Sequence, residues 1–179
     1  LNYTWQKDGN HIAYNVKEAS KVPETPLAFK PDFYEEELGS QKGYIVNVAS
    51  EKKSAQVLNV PGTIYMMSWS ADGTKLAVSA APTASVDDSY MKQQVMIVDA
   101  KTGNLAASID NKGKLGHIAW SPDGKQLALV AAKDLNDPTP GCILLVASTG
   151  GTPMILDAAF PGKYENISWT VADMIHYHA

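Results

Sequence analysis

The stretch GHIAWSPDGKQLAL at residues 116–129 is one of four versions of a single phrase. The others are NYTWQKDGNHIAY at 2–14, YMMSWSADGTKLAV at 65–78 and ENISWTVADMIHY at 165–177. Every tryptophan of the chain, Trp5, Trp69, Trp120 and Trp169, holds the same place in its phrase. It follows a short apolar run and a small residue (Thr4, Ser68, Ala119, Ser168), and precedes a polar turn and a second apolar run. The tryptophans are 64, 51 and 49 residues apart, a period at which repeats mean solenoids, propellers or arrays. Three turns carry an Asp-Gly pair, Asp8-Gly9, Asp72-Gly73 and Asp123-Gly124. Asp-Gly tolerates the positive φ that a tight antiparallel reversal needs, so each phrase is expected to fold as a hairpin and not as a helix.

A third apolar run follows each of the first three phrases: GYIVNVAS at 43–50, QQVMIVDAKTG at 93–103 and CILLVASTGG at 142–151. A fourth lies near 55–60, 104–109 and 152–156. Four short antiparallel strands every fifty or so residues is the blade pattern of a β-propeller. The expected fold is all-β: a partial propeller of three four-stranded blades, about 1–61, 62–112 and 113–161, plus the opening hairpin of a fourth at about 162–179. Propellers close with about 4–8 blades. The chain therefore reads as a piece of a longer polypeptide, with open blade edges that invite self-association.

The net charge of −4 with interspersed lysines provides no basic stripe, which argues against nucleic-acid binding. No run approaches the roughly 18–20 apolar residues of a spanning helix, and no charged-then-apolar signal segment opens the chain. The lone Cys142 allows no internal disulfide, and its place at the head of an apolar strand suits a small buried hydrophobe. No cofactor is implied.

The units differ most between their second and third strands. The first carries the long excursion KEASKVPETPLAFKPDFYEEELGSQK at 17–42, the second APTASVDDSYMK at 81–92, the third AKDLNDPTPG at 132–141. In an up-and-down blade these connections share one side with the links between blades, and the Asp-Gly turns lie on the other. Long polar loops on a rigid scaffold are the usual place for binding, with a solvated insertion as the alternative.

The phrase WSPDGKQLALV at 120–130, with VMIVDAKTG at 95–103, resembles the propellers of TolB-like proteins and of the prolyl oligopeptidase family of serine peptidases. The resemblance covers essentially the whole chain. IAYNVKEASK at 12–21 and LAFKPDFYEEELGSQKGYIVNV at 27–48 look like the acylaminoacyl-peptidase branch, although Asn47 stands where that branch has Asp. The resemblance implies a propeller packed over an α/β-hydrolase domain, admitting short peptides to a Ser-His-Asp triad carried there. It equally accommodates a TolB-like protein-binding propeller with no enzymatic domain. No Gly-x-Ser-x-Gly elbow occurs in the sequence, and ASTGG around Ser148 suits a turn. No catalytic residue is therefore assigned to the chain.

Phe33, Tyr34, Glu35, Glu36 and Glu37 are similar to the acidic helix with which dipeptidyl aminopeptidases of the family hold a substrate's amino terminus. Two carboxylates on one ammonium give charge-assisted hydrogen bonds. Tyr34, Glu35 and Glu36 are the candidate substrate-binding residues, against a solvated charge run. His176 and His178 share a strand face, but no third ligand with metal-site spacing follows. His11 and His117 lie in or beside predicted strands. Asp8, Asp72 and Asp123 fall one to a blade, too far apart to converge on one ion. The sequons Asn2-Tyr3-Thr4 and Asn166-Ile167-Ser168 lie on predicted first strands, where a glycan does not fit.

Overall fold

The serine that follows Trp69 and Trp120 builds the hairpin turn. In the second phrase the Ser70 hydroxyl lies 2.7 Å from Asp72 Oδ1 and accepts the Lys75 N–H at 3.0 Å, while Asp72 Oδ1 also accepts the Thr74 N–H at 3.0 Å. The third phrase repeats this with Ser121, Asp123, Gln126 and Lys125 at 2.7, 2.9 and 3.0 Å. Gly73 and Gly124 each donate back to the serine carbonyl at 2.9 Å, with φ of 70° and 68°. That left-handed conformation is open to glycine at no steric cost. These bonds hold both carboxylates below the ordinary Asp range, through the Thr74 N–H first at Asp72 and the Ser121 hydroxyl first at Asp123. In the first phrase Gln6 replaces the serine and reaches instead to the Gly73 carbonyl of the next hairpin at 2.8 Å.

The computed structural model describes residues 2–19, 28–29, 38–137, 139–156, 158–171 and 174–178. The candidate residues Tyr34, Glu35 and Glu36, with most of the 17–42 excursion, lie outside the described residues. The strands are β1 (Tyr3–Trp5), β2 (His11–Lys17), β3 (Gln41–Asn47), β4 (Ala55–Val57), β5 (Thr63–Trp69), β6 (Lys75–Ala81), β7 (Gln94–Asp99), β8 (Leu105–Ser108), β9 (Leu115–Trp120), β10 (Gln126–Ala131), β11 (Cys142–Ala147), β12 (Met154–Ile155), β13 (Asn166–Val171) and β14 (Met174–His178). They form four antiparallel sheets in chain order, β1-β2-β3-β4, β5-β6-β7-β8, β9-β10-β11-β12 and β13-β14, each strand beside its sequence neighbour. The fold is all-β.

One connection departs from the loop expected of it. Between β6 and β7 the chain forms a short helix, α1 (Val86–Met91). Its nucleus is Ser85, whose hydroxyl accepts the Asp88 N–H at the N-cap. Asp88, itself buried, is held by the Thr83 hydroxyl and the Lys92 ammonium, each at 2.7 Å.

Neighbouring sheets share apolar clusters. Leu76, Val78, Met96 and Val98 of the second sheet pack with Ala13 and Ile45 of the first. Ala77, Val95 and Ile97, on the opposite face, pack with Trp120, Leu127, Leu129, Leu144 and Val146 of the third. Ala128, Val130 and Ile143 then pack with Ile167 and Tyr164 at the fourth. The middle strands of the second and third sheets are therefore buried on both faces, a state in which a strand reads as a nearly continuous apolar run.

The indoles carry the register from sheet to sheet. Trp69 Nε1 donates to the Thr4 carbonyl at 3.2 Å and Trp120 Nε1 to the Ser68 carbonyl at 2.9 Å. In both cases the acceptor is the small residue just before the preceding tryptophan. Residues flanking the last strands of the first three sheets are joined as well, by parallel bridges of Asn59 with Asn104 and Ile109 with Gly151. Trp5 occupies the matching place on the first sheet and is 50% exposed.

Trp120 is 7% exposed, so Trp120→Ala is expected to cost about 3–5 kcal/mol. Trp120→Phe, which keeps a ring but strips the Ser68 carbonyl of its donor, should cost about 1–3 kcal/mol. Half-exposed Trp5→Ala should stay within about 1 kcal/mol. Urea unfolding of the three variants checks this order.

Candidate functional site

Two strands that share no sequence around the position bulge at the same point. In β5, Ile64 faces Ala80 and Met66 faces Ser79, which leaves Tyr65 unpaired. In β9, His117 faces Val130 and Leu115 faces Ala131, which leaves Gly116 unpaired. Both residues stand four before their tryptophan. A bulge adds a residue, bends the strand and re-aims a side chain, and bulges recur beside functional sites.

The β5 bulge is wired into its surroundings. Asn2 Nδ2 donates to the Tyr65 carbonyl at 2.9 Å. The Met66 N–H donates to Ser79 Oγ at 3.0 Å, Ser79 Oγ to Gln93 Oε1 at 2.7 Å, and Gln93 Nε2 to the Ser89 carbonyl in α1 at 2.6 Å. Buried Asn111 secures the same corner by accepting the Val95 N–H at 2.9 Å and donating to the Gln93 carbonyl at 2.8 Å. On the other side buried Asn15 accepts the Asn2 N–H at 2.7 Å and donates to Gln41 Oε1 and the Ile64 carbonyl at 2.8 and 3.0 Å. Satisfied buried networks of this kind fix one arrangement.

Tyr65 lines two open recesses. The first, about 520 Å³, is bounded by Asn2 and Tyr3, by Tyr65 to Ser68, and by His117 and Ile118. These belong to or directly precede β1, β5 and β9, the first strands of three successive sheets. The second, about 410 Å³, is bounded by Tyr65, Tyr90, Gln93, Lys114, Leu115 and Pro140. It lies where the link before β9 meets α1 and the β10–β11 connection. At Gly116 a Cβ would come within 3.3 Å of the Pro140 ring, so the absence of a side chain lets that connection close onto β9. The links between sheets do sit beside the second-to-third connections: Gly113 lies against the Asp134 carbonyl, and the Tyr164 N–H donates to the Gly141 carbonyl at 3.2 Å.

Of the histidines singled out from the sequence, His117 lines the first recess. Its Nδ1 is buried without a partner among the described residues, while the ring hydrogen-bonds to the Ile167 backbone. A neutral ring that donates from Nε2 leaves Nδ1 as a bare acceptor. Burial pushes its pKa below the ordinary value, opposed by the Ile167 bond. His11 instead pairs with Asp8 at 2.9 Å and His178 with Glu165 at 3.2 Å, both near the surface, and His176 is exposed. Among the described residues no group of three His, Cys, Asp or Glu is placed to hold a metal, and no helix is long and apolar enough to cross a membrane. Asp8, Asp72 and Asp123 sit in their separate turns. Cys142 packs against the core between the second and third sheets with its thiol pKa raised by burial, which keeps it in the less reactive protonated form.

The sequence reading reached His117 but not its recess, and it missed Tyr65, Tyr90 and Lys114. The signal within reach was the position four before each tryptophan, which changes from Tyr65 to Gly116 inside an otherwise regular phrase.

A histidine with a depressed folded pKa contributes stability above its unfolded value, about 6.5, that is lost as pH falls toward the folded value. Unfolding free energy should therefore decline as pH drops below about 6.5, and His117→Gln should lessen that decline. Denaturant melts at several pH values, with NMR titration of the histidine rings, measure both.

Compared with protein-family models and with curated proteins the chain finds no match, so the recesses speak through their own geometry.

Proposed function

We propose that residues 1–179 are part of a β-propeller, and that this propeller covers the catalytic domain of a serine peptidase of the prolyl oligopeptidase family, admitting short peptides and excluding folded proteins. The observation that carries the reading is the meeting of β1, β5 and β9 around one recess, in sheets joined by the same tryptophan bond. Propeller blades are four-stranded sheets arranged about a central channel, and a recess lined by successive first strands is the wall such a channel would have. The turn phrase shared with that peptidase family adds the catalytic context.

The action is steric. An extended peptide has a cross-section of roughly 5 by 10 Å, from strand and sheet spacings, whereas a small folded domain measures about 30 Å. A passage between these sizes sorts substrates with no chemistry of its own. Rigidity is the requirement on its wall, and the network from Met66 through Ser79 and Gln93 to α1 supports it.

A second reading, a protein-binding propeller of TolB-like type, draws on α1, where Tyr90 and Val86 are exposed. Exposed apolar side chains on an elaborated connection suit partner docking.

A fluorophosphonate probe applied to the whole polypeptide encoded with this chain separates the two. The peptidase reading expects one labelled serine outside residues 1–179, and a kcat/KM that falls by about tenfold or more once peptides outgrow the passage, equivalent to about 1.4 kcal/mol. Absence of any reactive serine in that polypeptide would overturn it in favour of the binding module.

A further inference from the structure

We propose that the second recess is a binding site for a carboxylate attached to an apolar group, such as the last residue of a peptide ending in an aliphatic side chain. The Lys114 ammonium lies 5.5 Å from the centroid of the Tyr90 ring and makes no ion pair with a carboxylate among the described residues. A lysine ammonium has three donors and no acceptor, so held against an aromatic face it keeps its demand for an anion. Leu115 and Pro140 give the recess apolar surface, while Tyr65 and Tyr90 add phenol groups. A pocket that is mostly apolar, with few polar groups fixing orientation, is the usual form of a small-ligand site.

The site is built in advance. Gln93 and Ser89, the other polar side chains lining the recess, are already engaged: the Gln93 amide holds α1 to Ser79 at the β5 bulge, and the Ser89 hydroxyl donates to the Val86 carbonyl. Asn111 likewise spends its amide on the Val95 N–H and the Gln93 carbonyl. The ammonium is thus the charged group left to a guest, and the guest's charge is specified as negative. The ligand's apolar part is specified by the remaining walls. This assignment stands apart from the peptidase reading, because binding here requires no hydrolase and its test reads no turnover.

Titration of the isotope-labelled 179-residue chain with N-acetyl-L-leucine and with N-acetyl-L-leucinamide, followed by two-dimensional NMR, tests it. Saturable shifts for the acid at Tyr90, Lys114 and Leu115, with a Kd on the order of 1 mM, are expected, and the neutral amide should bind about fivefold or more weakly, since it forgoes a charge-assisted bond. Lys114→Met, whose spectrum reports whether the fold persists, should erase the preference for the acid, and Lys114→Arg should keep it. Acetyl-Ala-Ala-Leu identifies the source of the carboxylate: tighter binding than the single residue assigns a peptide terminus, equal or weaker binding a small free acid. Equal affinity for acid and amide, undiminished preference in a folded Lys114→Met variant, or shifts confined to other surfaces would each overturn the assignment.

Discussion

The indole hydrogen bond between sheets is the contact on which the rest of this structure depends. An aromatic side chain of this size buries about 150–250 Å², worth several kcal/mol at about 25 cal/mol per Å², so within this contact the ring's burial outweighs its hydrogen bond. The bond from Nε1 to a backbone carbonyl adds only about 1 kcal/mol net, yet it decides position. Apolar faces can slide; a donor that must find the Thr4 or Ser68 carbonyl cannot. The small residue at the acceptor position lets the ring approach the backbone. The first sheet thereby positions the second and the second the third, and their first strands are brought close enough to share a recess.

Much of that was legible in the sequence because it is local or repeated. Asp-Gly between apolar runs gives a hairpin, and four tryptophans in one phrase give equivalent sheets. The burial of β6 on both faces could also have been read from KLAVSAA, which has a single charged residue, at its start. The helix α1 escaped because six residues are too few for a helical period to emerge, and its nucleus is one serine hydroxyl. The bulges escaped for another reason. An unpaired residue is defined only by what its partner strand does, and Tyr65 and Gly116 carry no local mark of it.

The recesses were less legible still, since they belong to no segment. Asn2, Tyr65 and His117 meet only because three sheets are stacked, and Lys114 meets Tyr90 only because a link between sheets passes a helix in a neighbouring connection. Scaffold residues here repeat, and recess residues vary within the same phrase. Tyr65 and Gly116 make the contrast plainest: one position, one bulge, an aromatic ring in one sheet and, in the next, a glycine onto which the Pro140 ring closes. Such variation on a fixed frame is how repeat architectures acquire sites without disturbing their packing.

Because each sheet is fastened chiefly to its predecessor and its successor in the chain, the molecule is coupled in series. Energies in such an array approximate a sum of unit terms and nearest-neighbour terms. Pulled from its two ends, it would yield like a column of stacked plates, one interface at a time, with the junction of the second and third sheets the last to part because it holds the better buried indole. The same arrangement lets order start at that junction and spread both ways along the polypeptide.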